Sequence, residues 1–304
     1  MCGLNDKRSV MEKIRRNKKA ILFFLLPGFL LYTILLMLPI VGSFILAFFK
    51  WNGIKGVPMV FVGFKNFATV ITDGTFWHSI KNIMWFMVLT LFTQLPIGLL
   101  LAVMLSERYR GYRVFKFAYF VPQVLSTTVI GLLWYFILMP TGVLNTVLRS
   151  MGLDGLVHMW LVEKNTAMTS IILVNTWCGI GFHMTVSYAA ISGIPDDVIE
   201  ASKLDGAVGL KKVRYIIIPM IWESIISSIV VIVTAVLKTF DLVYVMTSGG
   251  PNGLTDVPST LLYKEAFQYN NFGKASVIGV YIFVLSIFFT IISLRITKRE
   301  RIEY

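Results

Sequence analysis

Six long apolar stretches constrain the fold of this chain more than any other feature. Five of them contain no Asp, Glu, Lys or Arg: residues 20–49, 82–106, 117–148, 165–195 and 275–294. Crossing a hydrocarbon layer of about 30 Å takes roughly 20 apolar residues in a helix, because every backbone N–H and C=O must find its partner inside the segment. Each stretch is therefore long enough to form one transmembrane helix.

One more stretch, residues 215–237, is the fifth in chain order and is interrupted only by Glu223. A charge at the centre of a transmembrane helix costs roughly 2.5 to 3.5 kcal/mol, and much less near an interface. Glu223 follows Pro219 by four residues, towards one end of the stretch, so we interpret it as an interfacial acid. The sequence predicts an all-α membrane protein with six transmembrane helices.

The distribution of basic residues predicts the orientation. Of 28 Lys and Arg, nineteen lie in the two tails and in the second-to-third and fourth-to-fifth connections, and nine lie in the other connections. Since cytoplasmic segments carry the excess of Lys and Arg, both termini are predicted to be cytoplasmic. Topology thus explains the net charge of +12, and no nucleic-acid partner is predicted. We divide the chain into a basic tail, residues 1–19, and one transmembrane domain, residues 20–304.

The motifs of common enzymes are missing from the sequence. It contains no Walker phosphate loop, no HExxH and no GxSxG, and its three histidines are scattered. Cys2 and Cys178 lack the spacing of metal ligands. We therefore expect no enzymatic activity, no metal site and no cofactor on this chain.

The connection between the fourth and fifth stretches predicts a short helix. Pro195 suits a first helical position, and Asp196 and Asp197 favour the positive end of the helix dipole. Gly206 allows the left-handed conformation that ends a helix. A small-sided face formed by Val198, Ala201 and Ser202 would let another protein approach closely, although periodicity alone favours an ordinary amphipathic surface helix.

The same connection carries the spacing of a known motif. Glu200-Ala201-Ser202, Gly206 and Ile216-x-Ile218-Pro219 resemble the EAA signature of permease subunits of binding-protein-dependent ABC importers. Ser202 stands where the signature has its second Ala, and Ile218 where it has Leu. The triplet Asp205-Gly206-Ala207 and the stretch 240–251 further resemble the carbohydrate branch, with its maltose-type and glycerol-phosphate-type permeases.

The resemblance implies a type I ABC importer permease fold, in which residues 195–219 couple the chain to an ATPase. Its expected partners are a second, homologous permease, two ATP-binding subunits that hold ATP and Mg, an extracellular solute-binding protein and a sugar. The expected location is the plasma membrane of a bacterium or archaeon. The alternative is a secondary carrier driven by an ion gradient, which would normally place ionisable residues near mid-membrane.

A candidate substrate path lies on the fourth stretch. Asn175, Gly179 and Phe182 recur on one helical face and combine an amide, a bare backbone patch and an aromatic ring, as sugar sites require. Helix packing explains the same residues equally well. The carbohydrate resemblance favours the ligand interpretation and adds Ala235 and Thr239 from the fifth stretch.

Three further residues near this path receive other interpretations. His183 is interpreted as a packing residue or a bridge between helices. Lys238 and Asp241 stand three residues apart near the outer end, where an ion pair would reduce the cost of both charges.

Overall fold

The computed structural model describes residues 18–107 and 109–296 of the 304-residue chain. Of the predicted basic tail, residues 1–17 lie outside the described residues, as do residues 297–304. The first half contains helices α1 (Lys18–Tyr32), α2 (Leu38–Leu46), α3 (Lys65–Ile71), α4 (Gly74–Ser106), α5 (Tyr112–Val124), α6 (Thr127–Leu138) and α7 (Val143–Ser150), with a hairpin of strands β1 (Phe49–Lys50) and β2 (Val60–Phe61). The second half contains α8 (Ala167–Ser192), α9 (Asp196–Leu204), α10 (Leu210–Lys212), α11 (Ile218–Met220), α12 (Trp222–Leu237), α13 (Asp241–Thr247), α14 (Pro258–Tyr263) and α15 (Phe272–Ile296).

The prediction of an all-α membrane protein is confirmed. Five continuous or nearly continuous helical segments are long and apolar enough to cross a membrane: Leu22–Leu46, Gly74–Ser106, Thr127–Ser150, Ala167–Ser192 and Phe272–Arg295. A bent pair, Leu210–Met220 with Trp222–Leu237, supplies the sixth span. The long helices α4 and α8 pack along each other and form the centre of the bundle.

Two of the predicted crossings are not single straight helices. The fifth stretch in chain order, residues 215–237, bends by 75° at Ile221, whose backbone leaves the helical region just after Pro219. Proline lacks the N–H that continues the helical ladder, and a π-turn at Val213–Ile217 already loosens the turn before it. The third stretch breaks at Leu125 and again at Met139, both in extended conformation. Met139 precedes Pro140, and a residue before proline avoids the helical region.

The two ends of the bundle carry different structures. We call the end with residues 107–116 and 195–219 the EAA end, and the end with the β1–β2 hairpin and residues 248–274 the hairpin end. At the hairpin end, the Lys264 ammonium lies 2.8 Å from both carboxylate oxygens of Asp256. There too, Lys274 bridges Asp73 and Glu265, each at 2.7 Å. The pair between Asp73 and Lys274 joins the start of α4 to the start of α15.

Candidate functional site

The segment 195–219 forms the predicted helix and its stop. Helix α9 begins at Asp196. Pro195, which the sequence predicts to be the first helical residue, is instead the N-cap residue just before it. Gly206 adopts a φ of 73°, in the left-handed region, and its N–H donates to the Lys203 carbonyl at 3.1 Å. The Ala207 N–H donates to the Ser202 carbonyl at 2.8 Å and closes the last turn. The local signals of the sequence thus determine where this helix ends.

The prediction that Val198, Ala201 and Ser202 form one docking face is wrong. Ser202 is only 4% exposed, and its hydroxyl donates to the Ile199 carbonyl at 2.8 Å. Val198 and Ile199 pack against an apolar cluster of the chain's own helices α4, α8 and α12. This face of α9 is directed inwards because the apolar cluster provides a better partner for it than water.

The opposite face of the segment is open to solvent. It carries the Glu200 carboxylate, the Ala201 methyl group and two large apolar side chains, Leu204 at 89% exposure and Leu210 at 85%. Asp205 is exposed too, whereas Ala207, Ile216, Ile218 and Pro219 are half-buried. Exposed leucines beside a charged group are typical of a surface that another protein covers.

A cavity of about 530 Å³ lies between α4, α5, α6, α8, α12 and the start of α13. All five residues of the predicted substrate path line it: Asn175, Gly179, Phe182, Ala235 and Thr239. Its volume is within the range of small-molecule sites, which runs from roughly 300 to 1,000 Å³. The structure thus brings together residues of two helices that lie about sixty positions apart in the chain, and their role in binding stays a prediction.

Gly179 has a specific packing role in this cavity. A side chain at position 179 would occupy the place of the Gln94 amide, which lies directly against the glycine. Gly179 therefore leaves room for the end of the Gln94 side chain, which places a polar group at the cavity wall. The packing and ligand interpretations of this residue are compatible.

Polar residues outside the predicted path also line the cavity, and three of them are Gln94, His183 and Gln123. Gln94 is 5% exposed, and His183 is 3% exposed with no hydrogen-bond partner for its Nδ1 in the described part of the chain. Gln123, at the α5–α6 junction, is exposed and lines the same wall. In the sequence, Gln94 is a lone amide within an apolar stretch. The sequence does not show which way its side chain points, because that depends on how α4 packs against α8.

The predicted ion pair between Lys238 and Asp241 does not form; within 18–107 and 109–296, neither side chain has a salt-bridge partner. The i, i+3 argument assumed one continuous helix, whereas α12 ends at Leu237 and α13 starts at Asp241. Both residues instead line the cavity near the hairpin end.

Comparison with known proteins places these features in a family. Residues 94–302 match the family described as "Binding-protein-dependent transport system inner membrane component". The probable ABC transporter permease protein YurN of Bacillus subtilis is 31% identical over 95% of this chain and 100% of its own length. The probable starch degradation products transport system permease protein AmyD of Thermoanaerobacterium thermosulfurigenes is 28% identical over 92% of this chain and 94% of its own.

A solved structure shows the same fold. A chain of a bacterial ABC transporter involved in the import of the acidic polysaccharide alginate superposes with a TM-score of 0.80 at 26% identity, covering 95% of this chain and 100% of that chain. Its likeness confirms the predicted type I importer permease fold. With six apolar spans, an exposed connection between the fourth and fifth, and a family match over two thirds of its length, the chain belongs to the inner-membrane permease components of binding-protein-dependent ABC transporters.

Proposed function

We propose that this chain is one permease subunit of an ABC importer that carries a sugar or a sugar derivative through the membrane. The observation that supports this most directly is the lining of the cavity. Within the described part of the chain, the amides of Gln94 and Asn175 have no hydrogen-bond partner, and both residues line the same space as His183.

Amide groups without partners at a cavity wall can bond to a ligand or to water that enters the space. Sugar hydroxyls both donate and accept, which matches amides and an imidazole. The ring of Phe182 offers an apolar surface for the C–H face of a sugar ring. Relatives named for starch degradation products and for alginate support the same substrate class.

The transport energy comes, in this proposal, from two separate ATP-binding subunits that contact the exposed surface of α9. Glu200, Ala201, Leu204 and Leu210 form that contact, and the EAA end faces the cytoplasm of a bacterial or archaeal cell. A second permease completes the pore, and an extracellular solute-binding protein delivers the sugar. The chain itself holds neither ATP nor Mg. An ion-coupled carrier is not proposed, because the family match gives it no support.

The substrate part of the proposal is tested by uptake. The complete complex, reconstituted with both permeases, the ATPase subunits and the binding protein, is assayed with a panel of neutral and acidic mono- and oligosaccharides. We expect ATP-dependent uptake of at least one sugar and its loss in Asn175→Leu. Leu173→Ala, on the exposed side of the same helix, is the matched control and should transport normally. ATP-dependent uptake of a non-sugar solute alone would contradict the proposal.

The coupling part is tested by co-purification. Glu200→Lys reverses the charge of the exposed α9 surface and should abolish recovery of the ATPase subunits with the permease. Asp154→Lys makes the same charge change at an exposed position in a different connection and should leave recovery intact. Undiminished recovery with Glu200→Lys would remove Glu200 from the interface.

A further inference from the structure

Two serine hydroxyls in helix α12 are buried and unpaired. The side-chain oxygens of Ser224 and Ser228 have no hydrogen-bond partner within 18–107 and 109–296, and Ser228 is only 2% exposed. Other hydroxyls of this helix are satisfied by the backbone: Ser227 donates to the Glu223 carbonyl at 2.9 Å, and Thr234 donates to the Val230 carbonyl at 2.8 Å. Each buried hydroxyl without a partner costs about 1 to 3 kcal/mol. The pair therefore calls for an explanation.

The two serines continue the cavity face of α12 towards the EAA end. Ala235 and Thr239 line the cavity, and successive residues of an α-helix are rotated by about 100°. Counting back from Ala235, Ser228 and Ser224 each fall within roughly 20° of the same direction, whereas Ser227 lies about 80° away from it. Ser227 is exposed, which agrees with its different direction.

The cavity does not extend as far as these serines. Its lining residues stop at Val231 on α12 and at His183 on α8. Nearer the EAA end, Ile225 of α12 packs in one apolar cluster with Met184 and Ile191 of α8. The space that would continue the cavity is therefore filled by apolar side chains, with the two hydroxyls enclosed beside them.

We propose that the face of α12 carrying Ser228 and Ser224 lines the second half of the solute route, which this structure holds closed. When the EAA end opens, the two hydroxyls gain water or solute hydroxyls as partners, so the cost of burying them is incurred only in the closed state. This inference rests on the proposed transport function, since it assigns a route to the solute that enters the cavity.

The test measures the accessibility of each serine position in both states of the transporter. Ser228→Cys, Ser224→Cys and Ser227→Cys are made in a chain whose Cys2 and Cys178 are replaced by Ala. The complete complex in sealed proteoliposomes is treated with a membrane-impermeant cationic methanethiosulfonate, added from either side. Labelling is compared between the nucleotide-free and the vanadate-trapped complex.

We expect the cysteines at positions 228 and 224 to react roughly tenfold or more faster in one nucleotide state than in the other, since a buried thiol is inert and an exposed one reacts. The faster reaction should occur only with reagent added on the EAA side. The cysteine at position 227 should show the same rate in both states. Equal rates at 228 and 227, or no labelling at 228 in either state, would overturn the inference.

A second pair of variants keeps the test independent of cysteine chemistry. Ser228→Ala removes only the hydroxyl and should lower ATP-driven uptake severalfold without lowering the melting temperature, whereas Ser227→Ala should leave uptake unchanged. Unchanged uptake in Ser228→Ala would count against the route. The cysteine-free parent separates this inference from the proposed function. If the parent transports sugar normally while the cysteine at position 228 never reacts, only the route is wrong. If the parent transports no sugar, the proposed function is wrong.

Discussion

The two ends of the bundle are held together by different interactions. At the hairpin end, Asp256 and Glu265 are less than a tenth exposed and form ion pairs with lysines of the same end. At the EAA end, the ion pair between Lys212 and Glu107 has a half-exposed carboxylate. Buried pairs are strongly coupled to the fold, whereas exposed ones contribute little. The comparison indicates that ion pairs contribute more to the stability of the hairpin end, whereas the EAA end depends mainly on its apolar cluster.

The largest effect is expected from Gly206→Pro at the EAA end. Proline fixes φ near −65° and removes the N–H that bonds to Lys203, whereas Gly206 has a φ of 73°. We expect ATP-driven uptake to be abolished while the protein stays in the membrane at normal levels, as measured by transport assay and immunoblot. Gly206→Ala keeps the N–H at a cost of about 1 to 2 kcal/mol and should retain most transport. Normal uptake by the proline variant would show that α9 does not transmit motion.

A large loss of stability is expected from Asp256→Asn at the hairpin end. The change leaves the Lys264 ammonium without its carboxylate partner and so should destabilise the protein by about 3 kcal/mol. Thermal unfolding of the purified chain in detergent measures this loss. A melting temperature equal to that of the parent would mean that the hairpin end is not held by this pair.

A pH effect is expected at the other ion pair of the hairpin end. Desolvation raises the pKa of Asp73, but hydrogen bonds from Lys274 and Thr75 outweigh it and hold the pKa below its usual 3.8. Because the folded state has the lower pKa, the carboxylate stabilises the fold above the unfolded pKa, and this contribution is lost as pH falls through the folded value. The melting temperature should therefore drop below about pH 4 in the parent and drop less steeply in Asp73→Asn. Identical acid profiles would exclude Asp73 as the cause.

The smallest effect is expected from Glu107→Gln at the EAA end. Its ion pair with Lys212 is half exposed, so the loss in stability should stay below about 1 kcal/mol. Measured beside Asp256→Asn under the same conditions, this variant tests the comparison directly. If the two variants lose equal stability, the ion pairs contribute equally to the stability of the two ends.

At the EAA end, the sequence predicted the structure best where the signals act within one helical turn. The extent of α9 follows from Pro195, Asp196 and Gly206, since each acts within one helical turn. The direction of its faces did not follow, because the burial of Ser202 depends on an apolar cluster assembled from distant helices. Periodicity shows which residues share one face of a helix. It does not show whether that face contacts solvent or another part of the protein.

The cavity required information that no single helix contains. The spacing of Asn175, Gly179 and Phe182 showed a common face, and the structure adds that Gln94 and His183 lie on the same wall. The apolar stretch ends at Leu237, where α12 also ends, but the spacing of Lys238 and Asp241 could not show that the chain leaves the helix between them. A helix end in a membrane protein is set by the groups that replace its missing hydrogen bonds, and these come from elsewhere in the chain.

The close contact between Gln94 and Gly179 has an evolutionary consequence. Because the amide fills the volume that a methyl group at position 179 would need, an alanine there would displace the end of the flexible Gln94 side chain from its place at the cavity wall. Among homologous permeases, an alanine at the second position should accompany a shorter residue at the first. Efforts to alter selectivity by replacing the glutamine alone would leave a void between the two central helices, so a paired library is the better starting point.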